Sequence, residues 1–444
     1  MIRSETVHGR LGAGLAGLAL SVGLADASAQ APPAPAVPLY QESKDWILAC
    51  DNTRFCEAKG FSDAESAAMR ISRGAGPTGT LTVEIDVPDT AESPDVTAFR
   101  LDGRRLDLKT IAWAPDDATG LGQATLVTAD DDSAYRLLRR IRDGRVLSLG
   151  DTRSAPAVPL HGLATALKVM DEVQSRSGNE TALTQPGHGG AAALAAAPAA
   201  PALRGAPPPP AIPAAEARAL AAGVRQAMRG GDALAACDAR APSDIAVALT
   251  NTEALVMAEC ARASYQSSYV VFRVPRADPA AAQVVTLALP PGLEAGAPAR
   301  SPAPSVVMAG PASGGTSPSG GASPSGAASS SGAAPSSTHA ARTGNAAAGA
   351  TLQLANATSD RMQAVPVALA PTASADPVGR MTEPTYNPRT ATLASVSKGR
   401  GLADCGIRAE WRFDGQEFMP SAYRQQIRCG GGAPGDWPTL WRTR

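Results

Sequence analysis

Hydrophobic and polar positions alternate most cleanly over Thr80–Val87, where Leu81, Val83, Ile85 and Val87 are separated by Thr, Glu and Asp. A period of two predicts a strand with one buried face. Similar patterns predict strands at Trp46–Ala49, Ala68–Ile71, Ala124–Thr128, Arg145–Leu149, Tyr269–Val274 and Gln283–Leu289. Weaker ones fall at 352–354, 364–369 and 390–396, while Asp244–Leu249 and Ala254–Met257 read as short strands or a helix. Two hairpins carry an Asp-Gly turn: Phe99–Leu108 around Asp102-Gly103, and Trp411–Phe418 around Asp414-Gly415. Asp-Gly suits the positive φ angles of a two-residue type I′ turn. The spacing becomes helical three times. Tyr135, Leu138 and Ile141 follow Asp130-Asp131-Asp132, whose carboxylates suit a helix N-terminus. Leu163, Ala166, Leu167, Met170 and Val173 form one stripe of a helix over Gly162–Arg176, with Lys168, Asp171, Glu172 and Arg176 facing away. Ala214–Met228 forms a third helix, stopped by Gly230-Gly231. Strands with a few interspersed helices predict an α+β fold built of short antiparallel sheets.

The segments between these elements divide the chain. Residues 1–29 have a basic start, a short apolar run over Leu11–Leu24 and Ala27-Ser28-Ala29, the layout of a cleaved secretory leader. That run has 14 residues, against the ~20 needed for a membrane span. Residues 30–39 are a Pro/Ala tether, and 184–213 are an Ala/Pro linker with some polyproline stiffness. Of the 60 residues in 291–350, 48 are Pro, Gly, Ser or Ala and three are charged. Such a stretch buries too little apolar surface to offset its ordering entropy and is expected to be a disordered insertion. Aromatic residues are absent between Tyr135 and Tyr265 and between Phe272 and Tyr386. The expected organisation is therefore two lobes, residues 40–183 and residues 214–290 with 351–444.

Six cysteines, at 50, 56, 237, 260, 405 and 429, are an even number in an exported chain and imply disulfides. Proximity favours Cys50–Cys56, Cys237–Cys260 and Cys405–Cys429, which staple each lobe. With a formal charge of −1 the chain has no basic footprint for nucleic acid and no polybasic membrane anchor.

Candidate chemistry is sparse. Of four histidines only His161 falls within a predicted fold, so no multi-histidine metal site and no histidine-based triad can be assembled. No phosphate loop, dinucleotide fingerprint or nucleophile elbow occurs, and no cofactor is implied. Asp404, Glu410, Asp414, Glu417 and Asp436 are the acids from which a glycosidase-like pair would have to come. Lys398-Gly-Arg400-Gly has the makings of an anion nest, and Trp437-Pro-x-x-Trp441 of a stacking surface. The candidate binding residues are Lys398, Arg400, Asp404, Trp411, Trp437, Trp441 and Arg442.

Three blocks give the chain a family likeness. One is Asp45-Trp46, Cys50-Asp-Asn-Thr-Arg-x-Cys56 and Arg73-Gly-Ala-Gly76. The second is Leu160-x-Gly162-x-x-Thr165-Ala-Leu-x-x-Met170-Asp171-x-x-Gln174-x-Arg176. The third runs from Lys398 through Asp404-Cys405-Gly, Trp411, Asp414-Gly415, Phe418 and Cys429-Gly430 to Trp437 and Trp441-Arg442. In these the chain resembles the bacterial family DUF1176, a domain of unknown function. It departs from that pattern at Gln266, where an Asn is expected after Tyr265. The resemblance implies an exported envelope protein and no established activity. Together with the missing nucleophile and histidines, the expectation is a periplasmic or secreted, non-catalytic inhibitor or sensor. It would bind an envelope protein, peptide or glycan and leave the membrane interior untouched. A carboxylate-dependent hydrolase of cell-wall polymer and a structural spacer are the alternatives.

Overall fold

The computed structural model describes residues 34–61, 67–87, 95–116, 124–238, 242–293, 380–432 and 435–444. The leader, most of the insertion and the weak strands predicted at 352–354 and 364–369 lie outside those residues. The fold is α+β but mostly β: among the described residues three α-helices accompany four sheets whose strand pairs are all antiparallel.

The largest sheet has seven strands and contains the run predicted at Thr80–Val87, observed as Leu81–Val87. Leu81, Val83, Ile85 and Val87 point into a core shared with Leu48, Met69, Ile71 and the two helices that cover this face. Helix α1 (Asp131–Ile141) starts where expected, the Asp130 carboxylate accepting from the Ser133 amide at 2.9 Å. Helix α2 (Leu163–Val173) begins at Gly162, which holds φ 98°. A Cβ there would come within 1.9 Å of the Ser43 carbonyl, so only glycine lets the helix start so close to the sheet. A four-stranded sheet beside it includes the Asp102-Gly103 hairpin, where both turn residues have positive φ, as a type I′ turn requires.

Helix α3 (Ala214–Ala227) lies on a five-stranded sheet formed around Glu253–Arg262 and Ser267–Pro275. Ile245–Ala248 is a strand, resolving one ambiguity, whereas the run from Gln283 pairs only through Val284. The last sheet pairs Thr385–Asn387, Thr392–Lys398, Gly406–Phe413, Phe418–Gln426 and Thr439–Arg442. Its Asp414-Gly415 hairpin corrects the type I′ expectation. Phe413 pairs with Phe418, which leaves a four-residue loop. Of Asp414 and Gly415 only Gly415 has positive φ, and the Asp414 carboxylate accepts from the amides of Gln416 and Glu417.

All three disulfides pair as proximity predicted: Cys50–Cys56, Cys237–Cys260 and Cys405–Cys429. The segment read as a linker, 184–213, is tied down along part of its length. Leu203 donates to the Arg444 carbonyl at 3.0 Å, Arg444 donates to that of Pro201 at 2.9 Å, and Ala206 donates to that of Phe413 at 2.8 Å.

Candidate functional site

The family-like blocks fall first into two structural networks. Arg73 and Asp171 form an ion pair at 2.7 Å, each side chain 1 % exposed. Gln174 accepts from Arg73 Nε at 2.6 Å and donates to the carbonyls of Arg54 and Arg73 at 2.9 Å each. Asp171 also takes the amides of Leu183 and Thr184, while Arg176 donates to the Gly76 carbonyl at 2.7 Å. The reading of Asp171 and Arg176 as a solvated helix face is thus wrong: both are buried, as is Gln174. Burial is tolerated because Arg73 and Asp171 neutralise one another, while the Arg176 guanidinium is held by the Thr181 hydroxyl and the Gly74 and Gly76 carbonyls.

The second network is the seam between the C-terminal sheet and the outer face of the seven-stranded sheet. Arg442 pairs with Asp51, and its guanidinium lies 4.5 Å over the Phe55 ring. Asn52 and the backbone of Arg442 exchange hydrogen bonds at 2.9 and 3.1 Å. Arg428 reaches Asp45 at 3.7 Å, donates to the Lys44 carbonyl and covers Phe61 at 4.9 Å. His161 lies 3.6 Å from the other oxygen of Asp45. Thr439 donates its amide to Glu57, and the Lys59 ammonium donates to Gln426 at 3.2 Å. Burial pulls the Lys59 ammonium down to about 8.

These networks absorb part of the predicted binding set. Trp411 is buried, its indole donating to the Ala288 carbonyl at 2.7 Å. Trp437 is buried, Trp441 is half-buried against the same core as Trp411, and Arg442 is in the seam. Lys398, Arg400 and Asp404 come together elsewhere, at one end of the C-terminal sheet. There Arg400 grips Asp404 with two nitrogens, through Nε at 2.8 Å and through Nη2. The Lys398 amide donates to Gln266 Oε1 at 3.0 Å, and the Gly399 amide to the Cys405 carbonyl. Two N–H groups of the expected anion nest are therefore spent internally. The five candidate acids are held separately: Asp404 by Arg400, Glu410 by Arg408 at 2.8 Å, Asp414 by its own turn, Asp436 near Arg70, and Glu417 at the hairpin end.

What the sequence reading missed lies around Lys398. The reversal Ala263–Gln266 between two long strands carries Tyr265, 44 % exposed, and the neighbouring turn carries Leu402, 70 % exposed. Gly401 fits between them, its Cβ position 3.9 Å from the Tyr265 ring, and the Lys398 ammonium reaches the Tyr265 carbonyl at 3.4 Å. Cys405–Cys429 ties this turn to the next loop, which carries exposed Ile427. Gly399 packs directly on the bridge: a Cβ there would be 2.6 Å from Cys405 Sγ. Gln426 fastens the base by donating to the carbonyls of Asp404 and Gly430 at 2.8 and 2.6 Å. Leu402, an aliphatic residue inside Lys-Gly-Arg-Gly-Leu-Ala, was the available signal, since a turn seldom has use for one.

The DUF1176 pattern, described as a protein of unknown function, matches residues 40–304 and 343–444. The chain belongs to this family. It is 26 % identical over 415 residues to the uncharacterized protein YpfG of Escherichia coli (strain K12), covering 92 % of this chain and 94 % of that one. No solved structure matches. The family-like residues of this DUF1176 chain thus bind it together, while the most exposed large apolar side chain among the described residues, Leu402, stands on the turn between Arg400 and Ala403.

Proposed function

We propose that this DUF1176 protein is an exported, non-catalytic binding protein of the cell envelope whose contact surface is the tip formed by Tyr265, Leu402 and Ile427. The observation that carries this reading is that three exposed large hydrophobic side chains lie on loops that a disulfide and the Lys398–Gln266 bond lock in place. Pre-ordered apolar groups lower the entropy cost of binding. Export is supported by the three disulfides and by the leader-like residues 1–29. No helix among the described residues is long and apolar enough to cross a membrane. A glycan stacked on Trp411 or Trp437 is disfavoured, because sugar stacking needs open aromatic faces and both are buried.

Photo-crosslinking in cells tests the surface. Benzoylphenylalanine at Leu402 of the full-length protein is expected to give defined adducts. The same probe at Met419, which is exposed on a strand at the opposite end of its hairpin, is expected to give few. Equal adducts from both positions would overturn the assignment.

A further inference from the structure

We infer that the Tyr265–Leu402 tip docks on an anionic bilayer surface, with Leu402 entering the acyl boundary and Arg262, Lys398 and Arg400 meeting lipid phosphates. This rests on the reading of the tip as the contact surface. Its two apolar side chains crown neighbouring chain reversals, a projecting arrangement suited to entering a soft interface rather than enclosing a peptide. Tyrosine is a residue of membrane–water interfaces, where its ring is buried and its hydroxyl stays wet.

The charges around the tip are sorted by depth. In the Arg262–Glu259 pair the arginine is 48 % exposed and the carboxylate 0 %; in Arg400–Asp404 the values are 43 % and 10 %. Glu259 is held from below by the Ser243 amide at 2.6 Å, and Asp404 is anchored through its carbonyl by Gln426. Each carboxylate orients a guanidinium, and in each pair the guanidinium is the more exposed partner, so the outermost charges of the tip are cationic although the two pairs are neutral and Glu383, accepting from the Ser267 amide, balances Lys398. The Lys398 ammonium, on the Tyr265 carbonyl, adds a third cation between the two reversals. Exposed apolar groups flanked by cations that lie outside their paired carboxylates are what an anionic leaflet attracts.

The test is sedimentation of the full-length protein with phosphatidylcholine vesicles, with and without about a quarter phosphatidylglycerol. Binding is expected to the anionic vesicles, weakening as salt rises. Leu402→Asp should reduce partitioning at least ~10-fold, and Lys398→Ala roughly 5-fold, each without a change in melting temperature. Failure to bind anionic vesicles, or undiminished binding by Leu402→Asp, overturns the membrane assignment. Protein adducts from a probe at Leu402 without vesicle binding would do the same while leaving the contact surface standing. Loss of both adducts and vesicle binding would remove the surface as well.

Discussion

Arg73 and Asp171 meet at 2.7 Å inside the N-terminal core, joining a strand of the seven-stranded sheet to helix α2. Removing one partner strands the other's charge in the interior. Arg73→Ala or Asp171→Ala should therefore cost about 3–5 kcal/mol, while a double replacement by apolar residues of similar volume should cost much less. Urea titrations of the three variants measure both the loss and its partial recovery.

Lys59 gives the protein an unusual alkaline response. Its ammonium is buried in the seam, and burial lowers its pKa from 10.5 to about 8. Between those values the unfolded chain holds more protons than the folded one, so stability rises with pH over that window. Burial raises Tyr40 and Tyr423, and their folded forms lose stability once the unfolded tyrosines ionise above about pH 10. Melting temperatures from pH 7 to 10 should climb, and Lys59→Met should flatten that climb.

Glu259 governs the acid side. Hydrogen bonds from Arg262 and the Ser243 amide outweigh burial and hold its carboxyl at about 2, below its usual 4.5. A depressed carboxylate contributes stability above pH 4.5 that is lost as pH falls toward 2. Glu259→Gln should be less stable at neutral pH and lose less on acidification, as thermal melts across this range would show.

The Cys405–Cys429 bridge closes a separation of 24 residues. In the chain-entropy picture that is worth ~3 kcal/mol. Cys405→Ser with Cys429→Ser should lower stability by that order and free the Leu402 turn from the Ile427 loop. Hydrogen exchange at residues 399–404 and 427–430 should rise more than elsewhere.

Much of this architecture was legible where one local signal decided the outcome. The Leu81–Val87 alternation, the Asp130 cap and the three short-range disulfides each depend on residues near one another in sequence. Failures came where partners are distant. Asp171 and Gln174 look like solvent-facing helix positions until Arg73 arrives from about a hundred residues away to bury them. The two Asp-Gly pairs are locally alike, yet Leu101–Arg104 pairing fixes a two-residue turn and Phe413–Phe418 pairing a four-residue one. Of the candidate site, Lys398, Arg400 and Asp404 were legible. Tyr265, Leu402 and Ile427 were not, because three loops distant in sequence meet only after the sheets have formed.

If the family-like residues hold the fold while the tip makes contact, stability and contact should separate. The direct measurement is melting temperature together with crosslink yield from benzoylphenylalanine at Tyr265, in an otherwise native protein, in Leu402→Asp and in Arg73→Ala. Leu402→Asp should melt within about a degree of the parent, as surface changes usually do, and lose the adducts. Arg73→Ala should melt far lower, and its remaining folded fraction should still give adducts. A Leu402→Asp protein that keeps its adducts would show that the contact surface lies elsewhere.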